Sequence, residues 1–234
     1  MKKILGIIGG MGPMATVDLF AKIVSFTDAH KDSEHIHILI DNYPQIPDRT
    51  TAIQIGSNLP AKYLIESAER LERQGADFII IPCNTSHYFL NEVKAAIKIP
   101  IINMIEETAK ALANDGVKSV GIMATDGILY THMYEKYLEL YNIKAVIPSN
   151  EIQKEIMSII YDEVKAGKKA HPERITSWLD NMTESGVDGF ILGCTELPIA
   201  FSKFTKYKFY DCTEILAKSA IKYAGYKIKG EEAL

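Results

Sequence analysis

Three segments recur in the same order in the two halves of this 234-residue sequence. The first half contains ILGIIGGMGP, ADFIIIPCNTSH and IPIINMIEETAKA, and the second contains SVGIMATDGI, VDGFILGCTELP and YKFYDCTEILAKS. Their spacing is nearly conserved between the halves, because Gly6 precedes Cys83 by 77 positions and Gly121 precedes Cys194 by 73. A repeating unit of about one hundred residues is too long for a solenoid. We therefore predict an internal duplication that gives two related lobes.

Each half alternates short β-branched runs with longer helical patterns. In the first half Ile4–Ile8 reads as a strand and Pro13–Phe26 as a helix that opens with proline. Strands that alternate with helices are typical of a parallel sheet covered by helices on both faces. The predicted fold class is α/β, with two duplicated lobes related by a pseudo-twofold axis. We expect each lobe to hold a parallel four-stranded sheet flanked by helices, with the active site in the cleft between the lobes.

The composition argues against several classes of protein. The net charge is only −4 and there is no basic stripe with interleaved aromatic residues, so nucleic acid is not an expected partner. The N-terminal stretch MKKILGIIGGMGPMA mimics a signal peptide, but glycines and Pro13 interrupt it before an amphipathic helix. No apolar run approaches the roughly 20 residues that a membrane helix needs. Three cysteines without a framework pattern fit a reducing compartment. We expect a cytoplasmic protein with no membrane or metal site.

Cys83 and Cys194 each follow a predicted strand and precede a predicted helix. In open parallel sheets, binding sites form beyond the carboxyl ends of the strands. Asn84 or Thr85 is expected to cap the first of these helices and Thr195 the second, which leaves backbone N–H groups for an anion. A helix N-terminus can also lower the pKa of a thiol from about 8.5 toward neutrality.

A single buried cysteine is usually inert, but two at equivalent positions of a duplicated fold suggest one shared reaction. One thiol can remove a proton from one face of a carbon while the other returns a proton to the opposite face, and this inverts the carbon. The duplication therefore predicts a racemase in which Cys83 and Cys194 are the two bases.

Two cations are candidates to hold an anionic substrate. Arg49 lies in the loop IPDRT and Lys165 in the segment DEVKAGK. Arg49 is the better candidate, because its planar fork can bind both oxygens of a carboxylate. The alternative interpretation, that both are solvated surface charges, stays open and is stronger for Lys165.

These residues resemble the motifs of the aspartate/glutamate racemase family, and in particular its aspartate racemase branch. The motifs are GIIGGMGPMAT, PQIPDRT, PCNTSH, MATDG and GCTELP, and together they span almost the whole chain. The resemblance implies cofactor-independent interconversion of L- and D-aspartate, with glutamate as a further candidate substrate. Glutamate racemases tend to carry a histidine after the second Cys-Thr. This chain has Glu196 there, which favours the aspartate branch and makes Glu196 a candidate supporting residue.

The resemblance also implies roles for individual residues and an organisation of the chain. It assigns the α-carboxylate and ammonium of the substrate to Asn84, Thr85, Thr125 and Thr195, the distal carboxylate to Arg49 and Lys165, and a further substrate contact to Met11. It implies a homodimer. It also places residues 1–99 with 208–234 in the first lobe and 100–207 in the second, because the strand Ile101–Asn103 would pack with the second half and Phe209–Tyr223 would cross back to the first.

Three alternative functions remain. The stretch from Gly10 to Ala15 fits the dinucleotide motif G-x-G-x-x-A and Asp41 ends the next strand, but Asp41 lies 26 positions past Ala15 and the second half lacks the glycines. A non-catalytic, two-lobed amino-acid-binding protein is the second alternative, although binding alone does not need paired thiols. The third is another activity of the superfamily, such as a decarboxylase, a hydantoin racemase or a maleate isomerase. His87 is interpreted as a packing or helix-surface histidine rather than as a neighbour that adjusts Cys83.

Overall fold

The structure is a computed structural model that describes residues 2–231. Met1 and residues 232–234, which the predicted first lobe includes, lie outside the described residues. The strands are β1 Leu5–Gly9, β2 Ile38–Asn42, β3 Phe78–Ile80, β4 Ser119–Ala124, β5 Lys144–Val146, β6 Gly189–Gly193 and β7 Phe209–Asp211. The α-helices are α1 Pro13–Phe26, α2 Arg49–Gln54, α3 Leu59–Arg73, α4 Leu90–Ala96, α5 Met104–Asn114, α6 Asp126–Thr131, α7 Met133–Glu139, α8 Asn150–Ser158, α9 Thr176–Glu184, α10 Leu197–Phe201 and α11 Cys212–Tyr223. The alternation confirms the predicted α/β class.

The chain forms two compact units. The first extends to Glu107 and includes the segment from Thr213 onward, and the second comprises Thr108–Cys212. The first unit contains a parallel sheet with the strand order β2-β1-β3, and the second contains a parallel sheet with the order β5-β4-β6-β7.

Apolar helix faces cover the sheet of each unit. Helix α3 places Leu64, Ala68 and Leu71 on one face at helical spacing, and these side chains join the buried cluster of the first unit. The helix ends at Arg73, and Gly75 follows it with a φ of +95°, the left-handed conformation that glycine adopts without strain. In the second unit Ile156, Ile159 and Ile160 belong to the same buried apolar cluster as Phe190 of β6.

The registers of the two sheets support the duplication residue by residue. In the first sheet Leu5 pairs with Phe78, and in the second Val120 pairs with Gly189. The sequence repeat aligns Leu5 with Val120 and Phe78 with Gly189, so the two halves use the same strand pairing. Equivalent aspartates make equivalent contacts as well. The carboxylate of Asp77 accepts a hydrogen bond from the backbone N–H of Ile4, and that of Asp188 accepts bonds from the backbone N–H groups of Lys118 and Ser119.

The third repeated segment of each half lies in a different sheet from the one that the predicted organisation gives it. Ile101 forms a parallel bridge to Ile79 in the first sheet, so its strand does not pack with the second half. β7 pairs with β6, so Phe209 extends the second sheet rather than returning to the first. Each of these strands therefore stays in the sheet of its own half. The chain changes unit only in the helix that follows the strand, which is α5 in the first half and α11 in the second. The observed boundaries therefore fall at 107/108 and 212/213 instead of 99/100 and 207/208. The predicted four strands are present in the second sheet, whereas the first has three and the isolated bridge.

Candidate active site

In the first unit, the ends of β1 and β3 bring the glycine loop and the first cysteine to one edge of the sheet. Ile7 of β1 pairs with Ile80 of β3 in a parallel ladder, so the residues that follow the two strands leave the sheet on the same side. Met11 follows β1 and Cys83 follows β3. Both side chains are buried and belong to the same apolar cluster.

Arg49, the first residue of α2, lies beside this loop. Its side chain is only 7% exposed, so the interpretation as a solvated surface charge is wrong. Nη1 donates to the carbonyl oxygens of Ile46 (3.3 Å) and Pro47 (3.2 Å), and Nη2 donates to that of Met11 (3.4 Å). These contacts fix the guanidinium against the glycine loop. A buried guanidinium held by neutral carbonyls is suited to receive a carboxylate.

Cys83 lies in a tight turn that its own carbonyl group organises. This carbonyl oxygen accepts hydrogen bonds from Ser86 Oγ at 2.6 Å and from His87 Nδ1 at 2.9 Å. The predicted cap by the Asn84 side chain is not formed, because Asn84 already has helical dihedrals (φ −56°, ψ −49°) whereas a capping residue is extended. A 3₁₀ turn, Thr85–Phe89, follows in place of the start of a longer helix.

In the second unit, β4 and β6 bring Thr125 and Cys194 to the equivalent sheet edge. Ala124 and Gly193 are register partners, and Thr125 and Cys194 are the next residues of the two strands. Thr125 caps α6, and its hydroxyl accepts a hydrogen bond from the backbone N–H of Ile128. Thr125 and Cys194 therefore leave the sheet side by side.

Cys194 has a carboxylate partner two residues along the chain. Its Sγ donates to Oε2 of the buried Glu196 at 2.9 Å, and the Thr195 hydroxyl donates to the same oxygen at 3.3 Å. Burial raises the pKa of the Cys194 thiol well above its usual value, the charge of Glu196 raises it further, and the charge of Lys165 opposes the shift. The expected lowering by a helix N-terminus is therefore wrong for Cys194, since α10 is short and burial has the larger effect. The resting thiol is a proton donor aimed at a carboxylate.

Lys165 belongs to the electrostatic environment of Cys194. It follows a π-helical turn, Ile159–Val164, and its backbone N–H donates to the carbonyl of Ile160. Its Nζ lies 4.2 Å from the ring centroid of Tyr161, a contact that the sequence interpretation missed. The signal was available, because residues four apart share a helix face.

The predicted site residues thus form two sets, one in each unit. The first set is Met11, Arg49, Cys83, Asn84 and Thr85. The second set is Thr125, Lys165, Cys194, Thr195 and Glu196. Each set contains one thiol, one cation and at least one threonine hydroxyl, and in each set the cysteine follows the carboxyl end of a parallel strand.

The glycine loop after β1 is explained by close packing of the backbone. A Cβ at Gly10 would lie 2.4 Å from the backbone of Tyr43, and the Gly10 N–H donates to Thr16 Oγ1 at 2.9 Å. Asp41, the acidic residue of the dinucleotide interpretation, accepts hydrogen bonds from Ser67 and Arg70. These groups are used to hold the fold, which weakens the dinucleotide interpretation.

Neither a metal centre nor a membrane-spanning helix is found within residues 2–231. No group of three or more His, Cys, Asp or Glu side chains in this part of the chain has the arrangement to hold a metal ion. No helix of the described residues has both the length and the apolar character needed to cross a bilayer.

Comparison with known families identifies the family of this chain. Residues 8–220 match the model of the Asp/Glu/hydantoin racemase family. The chain belongs to this family. It is therefore an isomerase of the amino-acid racemase type, which confirms the class of enzyme predicted from the paired cysteine motifs.

Individual relatives support the same assignment over nearly the full length of the chain. The structure of an aspartate racemase from Picrophilus torridus superposes with a TM-score of 0.85 at 35% identity, covering 97% of this chain and 96% of that one. An aspartate racemase homologue from Pyrococcus horikoshii superposes with a TM-score of 0.80 at 29% identity, covering 96% and 100%. A broad-specificity amino-acid racemase from Bacillus subtilis is 27% identical over 231 residues, which are 95% of this chain and 99% of that protein.

Proposed function

We propose that this racemase interconverts L- and D-aspartate by two-base proton transfer at the α-carbon, with Cys83 and Cys194 as the bases and without a cofactor. The observation that carries the proposal is the pair of cysteines at equivalent strand ends of a duplicated unit. The similarity to the Picrophilus torridus aspartate racemase supports aspartate as the substrate.

The proposed reaction has two balanced proton transfers. A thiolate on one face takes the α-proton, and the electron pair of the C–H bond passes into the α-carboxylate. The thiol on the other face then gives its proton to the same carbon. The product has the opposite configuration, and the two sulfur atoms have exchanged protonation states. The reverse reaction, or proton exchange with water, restores the starting state.

The other predicted residues are proposed to bind the substrate and to stabilise the charge that develops. The α-hydrogen is very weakly acidic, so hydrogen-bond donors around the α-carboxylate must stabilise the carbanion. We assign this role to the group Asn84, Thr85, Thr125 and Thr195. Arg49 and Lys165 are assigned to the distal carboxylate, and Met11 to the side of the substrate next to the glycine loop.

Glu196 is proposed to exchange a proton with Cys194. The hydrogen bond from Sγ to Oε2 gives the thiol proton a destination when Cys194 must act as a base. The sequence repeat aligns Thr85 with Glu196, so the Cys83 half has a hydroxyl residue at the equivalent position. The two bases are therefore matched in chain position but not in their partners.

The test is to incubate the purified chain with single amino acids and no added cofactor, and to resolve the enantiomers by chiral chromatography. We expect L-aspartate and D-aspartate each to approach a racemic mixture. Broad specificity is the second candidate, favoured by the similarity to the Bacillus subtilis racemase. L-Glutamate, L-alanine and L-leucine test it in parallel. Racemisation of the neutral amino acids at the aspartate rate would contradict a site selective for a distal carboxylate.

Replacing Arg49 by alanine is expected to raise KM for aspartate much more than it affects folding. Losing a charge-assisted contact of about 1.5–3 kcal/mol corresponds to roughly a 10- to 100-fold weaker interaction. The measurement is kcat and KM for aspartate beside thermal melting. Arg73→Ala is the matched control, since Arg73 is exposed and pairs with Glu69 on the same helix. An unchanged KM in Arg49→Ala would remove Arg49 from the substrate site.

We also propose that the chain forms a homodimer through the exposed face of α1. This face carries Met14, Val17, Phe20 and Val24, each at least 40% exposed. An uncharged apolar stripe of this kind suits a second copy of itself. Val17→Glu is expected to shift the chain from dimer to monomer in size-exclusion chromatography with light scattering. Ile55→Glu, at another exposed apolar position, is the control, and a monomeric wild-type chain would contradict the proposal.

A further inference from the structure

His87 links the turn of the first cysteine to the start of a helix in the same unit. Its Nδ1 lies 2.9 Å from the carbonyl oxygen of Cys83, and its Nε2 lies 3.0 Å from the backbone nitrogen of Met104. A carbonyl oxygen can only accept and a backbone N–H can only donate. The two contacts together fix one tautomer, in which the proton is on Nδ1 and the lone pair on Nε2 faces Met104.

The second contact is part of a complete cap on α5. The first N–H groups of a helix have no partner within the helix itself. At α5 the Met104 N–H donates to His87, and the N–H groups of Ile105 and Glu106 donate to Asn103 Oδ1 at 3.0 and 3.3 Å. The imidazole is therefore held at both ends, by a helix terminus on one side and by the Cys83 carbonyl on the other.

His87 is neutral in this environment. Burial lowers its pKa to about 4, with a smaller contribution from the charge of Lys94. A second proton on Nε2 would also point at the Met104 N–H and break the cap. His87 is thus unsuited to take a proton from Cys83, and its contacts are those of a residue that holds a geometry.

We propose that His87 is a positioning residue that fixes the direction of the Cys83 thiol through the Cys83 carbonyl. This inference rests on the proposed two-base function. Ser86 and His87 together hold that carbonyl, and so they set the backbone orientation from which Cβ and Sγ of Cys83 project. Proton transfer requires the reacting atoms at near-contact distance and in alignment, and a displacement of about 1 Å can lower a rate by roughly 100-fold.

Two substitutions separate the two contacts of the imidazole. His87→Asn keeps a donor close to the position of Nδ1 and loses the acceptor for Met104, whereas His87→Gln can keep that acceptor and loses the donor to Cys83. We expect kcat to fall about 10- to 100-fold in His87→Gln and only about 5-fold or less in His87→Asn, with KM for aspartate little changed in both. His132→Asn, at an exposed histidine of left-handed conformation that asparagine tolerates, is the control.

Isotope effects distinguish positioning from loss of folded protein. With α-deuterated L- and D-aspartate, weakening one base makes its proton abstraction more rate-limiting. We therefore expect His87→Gln to raise the isotope effect for the enantiomer that Cys83 deprotonates. The isotope effect for the opposite enantiomer should stay unchanged or fall. A variant that only unfolds more readily would show wild-type isotope effects for both enantiomers.

A spectroscopic measurement tests the inference without using activity. Nitrogen NMR of histidine-labelled wild-type chain is expected to show His87 as the Nδ1–H tautomer, without titration between pH 5 and pH 8, because its pKa is about 4. Titration of His87 within that range, or equal loss of kcat in the Asn and Gln variants, would overturn the positioning role. A wild-type chain that racemises nothing would instead refute the proposed function, and the NMR result would still decide whether His87 holds the Cys83 turn.

Discussion

Replacing either Cys83 or Cys194 by alanine is expected to lower kcat for aspartate racemisation by at least about 1,000-fold, because each turnover of the proposed two-base reaction needs one proton acceptor and one donor on opposite faces of the carbon. Loss of either sulfur removes one of the two transfers. No other group can replace it without occupying the same place beside the α-carbon. Chiral chromatography on both enantiomers measures the loss.

The two alanine variants are expected to differ in a second reaction. Each keeps one thiol, which can still exchange the α-proton of the enantiomer that presents its hydrogen to that side. In deuterated water, proton NMR should show deuterium entering one enantiomer in the Cys83→Ala variant and the opposite enantiomer in Cys194→Ala. Exchange of the same enantiomer by both variants would contradict the assignment of the two thiols to opposite faces.

The third cysteine supplies a matched control for these variants. Cys212 is buried, its Sγ lies 2.8 Å from the Tyr134 hydroxyl, and burial raises its pKa to about 12. Nothing in the proposed reaction uses it. Cys212→Ser is expected to racemise aspartate at a rate within a few-fold of the wild type. Full two-way racemisation by Cys83→Ala or Cys194→Ala, with this control active, would exclude the paired-base mechanism.

The fold was predictable because the sequence repeats at the positions that set strand register. Leu5 with Phe78 and Val120 with Gly189 occupy equivalent positions, and a one-residue shift would move buried side chains to the wrong face. The unit boundaries were less predictable. Ile101 forms only an isolated bridge at the edge of the first sheet, β7 is a three-residue edge strand of the second, and the sequence does not reveal in which helix the chain changes unit.

The sequence predicts the residue types of the candidate site better than it predicts the contacts among them. Both cysteines follow buried strands, and such a position is visible in the sequence. The carboxylate partner of Cys194 depends on the short turn from Thr195 to Glu196, which periodicity does not describe. The sequence predicts a packing or helix-surface position for His87, whereas the structure shows it bonded to the Cys83 carbonyl and to the backbone of Met104, 17 positions away. Hydrogen bonds across such distances follow from tertiary packing, which local patterns do not determine.

Glu196→Gln is the second substitution with a large expected effect. The glutamine cannot take the thiol proton of Cys194, whose pKa is raised first by burial and then by the Glu196 charge. We expect kcat to fall about 100-fold in the direction in which Cys194 removes the α-proton, a typical contribution of a proton acceptor. In the opposite direction, in which the Cys194 thiol donates a proton to the α-carbon, kcat is expected to fall less.

The pH dependence of this variant provides the sharper measurement. Removing the carboxylate takes away one cause of the raised pKa of Cys194, but burial, the larger cause, remains. Thiolate then forms only by loss of the proton to solvent, and its fraction rises tenfold per pH unit below the thiol pKa. The rate at which Cys194 removes the α-proton should therefore climb with pH in Glu196→Gln and vary less in the wild type, where we propose that Glu196 receives the thiol proton. Initial rates from both enantiomers between pH 6 and pH 10 test this.

Glu163→Gln is the control for loss of a buried carboxylate from the same unit. Glu163 forms an ion pair with Arg174 and accepts a hydrogen bond from the backbone N–H of His171. We expect this variant to melt at a lower temperature, because it weakens an ion pair with one buried partner, while its rates keep the wild-type dependence on pH. A Glu196→Gln enzyme with the wild-type kcat and pH profile would mean that the thiol of Cys194 loses its proton by another route, since the 2.9 Å contact would then carry no proton.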